Sequence, residues 1–172
     1  MRKISLEKDY YQSVIIFALV FLYFKFIYFL RDKTFPATLI FLIFVFNIFL
    51  TIFFFYFLGK IFEKKLSWRS FVLTFSYSLF PTLTWFLSTS LLYIFLPPPR
   101  TLSLLGKGFS ILFIAFSLSL LIWKLILVYL AVRFSSKQNI LRIFYMIILY
   151  LIWFLPYSLL LYYYHFFRIP FI

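Results

Sequence analysis

Five apolar runs, each bounded by basic or helix-breaking residues, leave this chain little choice of fold. A bilayer-spanning helix needs about 20 mainly apolar residues. The runs cover 11–30, 35–58, 71–96, 109–132 and 143–166. They are continuous rather than alternating and too long for tilted barrel strands, so a transmembrane β-barrel is excluded. Two thirds of the chain is apolar (66%) and 29 of its 172 residues are Phe. Too little polar surface remains to cover a water-soluble core. The expected fold is therefore all-α: one domain over residues 1–172, a polytopic membrane protein with a bundle of five transmembrane helices. The first run has a basic flank that resembles a signal peptide, but it continues through bulky aromatics with no small-residue cleavage site. It reads as a retained helix.

Charge bias gives an expected orientation. The tail before the first run and the loops after the second and fourth carry Arg2, Lys3, Lys8, Lys60, Lys64, Lys65, Arg69, Arg133, Lys137 and Arg142, ten of the 17 cations. The opposite side carries Arg31, Lys33, Arg100, Lys107 and Arg168. The positive-inside rule puts the N-terminus in the cytoplasm and the C-terminus outside. The net charge of +13 is spread as flanks of apolar runs rather than as a nucleic-acid patch. Its expected partners are anionic lipid headgroups at the inner face, with no nucleic acid.

Punctuation sets the expected helix ends. Pro36 opens the second run and Gly59-Lys60 closes it. Pro97-Pro98-Pro99 stops the third, and Gly106-Lys107-Gly108 forms a turn before the fourth. Pro81 and Pro156, near the middles of the third and fifth runs, each remove a helical hydrogen bond and predict kinks.

Within lipid, helices associate through small and polar residues. Thr74, Ser78 and Thr82 form one stripe on the third run, and Ser110 and Ser117 lie a heptad apart on the fourth, with Ala115 and Ser119 nearby. These faces are expected to meet other helices, although such hydroxyls also bond back to their own preceding turn. Asn47, mid-span, is expected to act as interhelical glue. Lys25 and Lys124 are the sharpest anomalies, because a charge in the hydrocarbon core costs at least about 2.5–3.5 kcal/mol. Side chains lean toward their own helix N-terminus, so both lysines lean away from the nearer interface and snorkel poorly. Two placements stay open for Lys124: strained snorkelling to lipid phosphate, or a protein-facing site with hydroxyls, carbonyls or a bound anion. The candidate anion, lipid or packing site is thus Lys124, Asn47, Pro81, Ser78 and Ser117.

The chemistry available is narrow. There is no Cys, hence no thiolate ligand or nucleophile. Glu7, Asp9, Asp32 and Glu63 all fall outside the spans, so no proton relay crosses the membrane. His165 stands alone, too few ligands for a metal or bis-His haem. No catalytic residue, cofactor or metal is expected, and the chain reads as a non-enzyme.

Two segments carry a family likeness. Phe75-Ser76-Tyr77-Ser78-Leu79-Phe80-Pro81 and Leu121-Ile122-Trp123-Lys124-Leu125-Ile126-Leu127, followed by Ala131-Val132-Arg133, resemble the third and fourth helices of the Yip (Ypt-interacting-protein) domain family. The short basic loop before the last span fits too. The resemblance implies a five-helix bundle with a cytoplasmic N-terminus. In eukaryotic members it implies an adaptor for Rab-type GTPases. The roughly ten residues before the first span resemble the prokaryotic members more closely, which implies the prokaryotic cytoplasmic (inner) membrane.

The leading functional expectation is an integral membrane scaffold or adaptor acting through helix contacts in the bilayer, with a membrane-protein partner or self-association. The alternatives are a small transporter or lipid-binding protein with its site near Lys124, and an accessory subunit of a larger membrane complex.

Overall fold

The computed structural model describes residues 10–30, 37–62, 66–95 and 104–164. They form α1 (Tyr11–Leu30), α2 (Ala37–Phe62), α3 (Trp68–Tyr77), α4 (Phe80–Phe95), α5 (Leu104–Ser136) and α6 (Ile140–Tyr163). No strand occurs among the described residues. The chain is an all-α polytopic membrane protein. Phe41–Phe62, Trp68–Leu92, Gly106–Ser136 and Ile140–Tyr163 are each long and apolar enough to cross a bilayer. The 20 residues of α1 reach about 30 Å, the thickness of the hydrocarbon core. All four carboxylates, His165, Pro36, Pro97-Pro98-Pro99 and the cations Arg2, Lys3, Lys8, Arg31, Lys33, Lys64, Lys65, Arg100 and Arg168 lie outside the described residues.

The third span is the hub. Over its apolar 18-residue stretch 61% is buried, against 11–22% over the corresponding stretches of the other three crossing segments. Its halves, α3 and α4, both pack on α1 and α5, and α3 also touches α2; α6 lies outside, against α2 and α5. The reason is compositional. The third span carries the hydroxyl stripe, with Thr74, Ser78 and Thr82 all buried, and small side chains let neighbouring backbones approach. Elsewhere the bulky residues face out. Phe46, Phe49, Phe53 and Phe57 form an exposed stripe on α2, and Ile111, Ile114, Leu118 and Ile122 one on α5. Such faces are at home only in lipid. On α5, Ala115 and Ser119 are exposed, so that part of the fourth run's small-residue face is not covered by the described residues.

Pro81 breaks the span upstream of itself. Its ring clashes with the carbonyl of Tyr77 and it has no N–H to offer it, so α3 ends at Tyr77. The chain tightens through Ser78 N–H to Phe75 O (3.0 Å) and Leu79 N–H to Ser76 O (3.1 Å), and α4 then starts with Pro81 in its first turn. α6 instead runs through Pro156 without interruption.

Helix ends depart from the expected ones because helices continue past the hydrocarbon. Gly106-Lys107-Gly108 lies inside α5, not in a turn. Gly59 does not stop α2, which goes on to Phe62. Gly59 is instead a close-packing point: a Cβ there would sit 2.9 Å from Leu66 Cδ1 and 3.3 Å from Phe71 Cζ. Gly59→Ala is expected to be near neutral, because a gain of about 1 kcal/mol in helix propensity offsets the crowding. Gly59→Val is expected to destabilise by about 1–3 kcal/mol in a detergent unfolding titration, since Phe71 has no room to yield.

At the α5–α6 turn Lys137 adopts φ 53° and donates its N–H to Arg133 O (3.1 Å), a left-handed helix stop that usually holds Gly. Lys137→Gly is expected to raise stability by about 0.5–1 kcal/mol in the same titration. The end of the bundle that carries this turn is both basic and aromatic. Arg69 lies 5.0 Å over the Tyr10 ring, Lys60 5.9 Å over Tyr56 and Arg142 5.6 Å over Phe62.

Candidate functional site: an intramembrane cavity at Lys124

A cavity of about 210 Å³ opens midway along the bundle, between α2, the α3–α4 break, α5 and α6. Leu121, Lys124, Leu125 and Val128 supply its α5 wall, spaced at three and four residues and so on one face of the helix. Lys124 therefore faces protein rather than bulk lipid. It is nine residues, about 13 Å, from Arg133 and 17 residues, about 25 Å, from Lys107 along α5. With those two cations at the interfaces, the ammonium stem starts well inside the hydrocarbon core.

Asn47 and Ser78 of the expected site line the same cavity, and so does Thr82. Pro81 is buried beside them but does not line it; its part is to open the α3–α4 break that exposes this wall. Ser117 lies elsewhere, accepting a hydrogen bond from Trp85 Nε1 (3.3 Å) and donating to Phe113 O (2.8 Å). It ties α4 to α5. Lys25 is exposed on α1, remote from the cavity lining.

Most Ser and Thr hydroxyls among the described residues are spent locally. Ser78 donates to Phe75 O (2.7 Å) and Thr74 to Ser70 O (2.8 Å); Thr89, Ser90, Ser110 and Ser119 likewise donate one turn back. The bonds that cross between helices are fewer. Ser13 and Ser76 meet at 2.9 Å, and Tyr77 donates to Gln12.

A polar chain missed from the sequence joins α2 to α6 at the cavity. Tyr157 OH donates to Asn47 Oδ1 (2.7 Å). Thr51 Oγ1 donates to Asn47 O (2.9 Å) and so must accept from Tyr150 OH (3.2 Å). The hydroxyl protons of Tyr157, Thr51 and Tyr150 are thereby all committed. The findable signal was spacing: Asn47 and Thr51 four apart on one span, Tyr150 and Tyr157 a heptad apart on another.

What remains uncommitted can in each case donate. Asn47 is 6% exposed, yet its Nδ2 has no partner. Thr82, also 6% exposed, has no hydrogen bond from its hydroxyl among the described residues, and neither does the Lys124 ammonium. No carboxylate occurs among the described residues. The cavity thus presents a cation, an amide donor and a hydroxyl free to donate or accept, with no carboxylate among the described residues. A buried donor without a partner costs about 1–3 kcal/mol, and the ammonium more.

Everything else on the wall is apolar, chiefly Leu121 and Leu125 of α5 facing Leu151 and Leu155 of α6. Leu125 and Leu155 are 38% and 39% exposed, so the cavity opens sideways between α5 and α6 toward lipid. No group of His, Cys, Asp or Glu able to hold a metal occurs among the described residues. No protein-family model, curated protein or solved structure matches the chain.

Proposed function

We propose that this chain is a non-catalytic membrane protein that takes up an acidic amphiphile from the bilayer in the cavity at Lys124. One observation carries the reading: an ammonium, an amide donor and a free hydroxyl share a cavity inside the apolar spans whose exposed lining residues are the leucines Leu125 and Leu155. An aqueous substrate pathway would need a polar route to one face, whereas the opening between Leu125 and Leu155 admits an acyl chain. Such a ligand would satisfy the donors with its head and the leucine walls with its tail.

Residence in a prokaryotic cytoplasmic membrane with the N-terminus inside is part of the same proposal. It is supported by the basic, aromatic end of the bundle at Lys60, Arg69 and Arg142. The Yip likeness of residues 75–81 and 121–133 supports a scaffold or adaptor role, which a lipid-loaded bundle could also serve.

The test is mild-detergent purification followed by native mass spectrometry. Wild type should retain about one equivalent of an acidic amphiphile, which Lys124→Met loses. An identical lipid complement in both proteins, or a protein partner that co-purifies equally with both, would favour the adaptor reading.

A further inference from the structure

We infer that the ligand of this cavity ends in a single compact oxyanion, a carboxylate or a phosphate monoester attached directly to a long apolar chain. This rests on the reading of the cavity as an amphiphile site and narrows its ligand class. Three features of the wall carry it.

The first is the sign of the open groups. Lys124 and Asn47 Nδ2 can only donate and the Thr82 hydroxyl is free to donate, so all three cavity-lining groups can serve the lone pairs of an oxyanion. A cationic or zwitterionic head would bring its own ammonium beside Lys124, with no carboxylate among the described residues to receive it.

The second is the extent of the polar wall. Ser78, Thr51 and Tyr150 also line the cavity, but their protons are already given to Phe75 O, Asn47 O and Thr51 respectively. These three hydroxyls can therefore accept but not donate, which confines the donors open to a ligand to Lys124, Asn47 and Thr82, a patch suited to one compact oxyanion. A phosphodiester is flanked by polar groups on both sides; a terminal oxyanion is flanked on one side by hydrocarbon alone, as this cavity is.

The third is depth. Lys124 lies about 13 Å along α5 from Arg133, below the level where diacyl phospholipid heads reside. A small head can be drawn that far while its tail follows through the gap lined by Leu125 and Leu155. A large hydrated one would take its water with it or lose it.

The experiment uses the full chain, delipidated in maltoside micelles, with palmitate, methyl palmitate, laurate, dodecyl phosphate and phosphatidylglycerol as probes and binding read by native mass spectrometry. Palmitate or dodecyl phosphate should bind at least about tenfold tighter than methyl palmitate. That preference should vanish in Lys124→Met and shrink in Thr82→Val. Laurate against dodecyl phosphate, matched in chain length, identifies the head as carboxylate or phosphate. Equal binding of acid and ester, or displacement of both anions by equimolar phosphatidylglycerol, overturns the inference while leaving an amphiphile site in place. No binding of any probe overturns the site reading with it.

Discussion

Lys124→Met is expected to make the delipidated protein more stable, by about 1–3 kcal/mol, while removing its ability to hold an anionic ligand. The physical ground is that a lysine in the hydrocarbon core costs about 2.5–3.5 kcal/mol on insertion scales. In this bundle no described residue pairs with it. Methionine fills a similar volume, keeps the flexible stem and has no charge to desolvate. A buried ion replaced by a hydrophobe is often stabilising for the same reason. The gain must be measured after lipid removal, because a ligand that binds only the folded state stabilises the wild type by mass action and masks the difference. Without delipidation, wild type and variant should converge or change order. A delipidated Lys124→Met that unfolds earlier than wild type would show that the ammonium has a structural partner, and the cavity would lose its claim to be a site.

The second large effect is structural. Phe71 is fully buried, stacked 6.2 Å from Phe75 and edge-on 5.7 Å from Tyr56, with Gly59 beneath it. Phe71→Ala should destabilise by about 3 kcal/mol, at the low end of the range for soluble cores. Lipid solvates an exposed phenyl ring nearly as well as protein does. The loss is therefore packing and the residual void rather than transfer from water. Phe53→Ala is the control: that ring is 55% exposed on the α2 lipid face and should change stability by no more than about 0.5 kcal/mol. Steric-trap or SDS unfolding of the two variants checks both values. Similar costs at the two positions would mean that the third span is not the centre of the bundle.

The spans were legible because membrane thickness imposes a length that few other structures need, and the third span's breakpoint was legible because Pro81 can form no bond to Tyr77. Their ends were not. Gly59 and Gly106 look like stops in a soluble helix, but a helix leaving hydrocarbon has no reason to end there, and both lie inside longer ones. Lys124 stood out by charge alone. Its direction was readable from helix geometry, yet the choice between lipid and protein needed the positions of α2 and α6. The hydroxyl stripe of the third span was legible as a helix-contact face, but not that this span is the centre of the bundle: most of its hydroxyls serve their own backbone, and it is their small size that lets neighbours in. Tyr150 and Tyr157 escaped notice because a phenol in a long aromatic run carries no mark of whether it bonds across or faces lipid.

The broken third crossing also bears on biogenesis. It is the least apolar of the long segments and the one most enclosed by its neighbours, so on its own it partitions poorly into lipid. Its stable residence in the bilayer therefore depends on company. The two crossings made before it during synthesis supply part of the shelter, and α5 supplies the rest only later. In the finished fold Ser13 and Ser76 join the first of those crossings to the third.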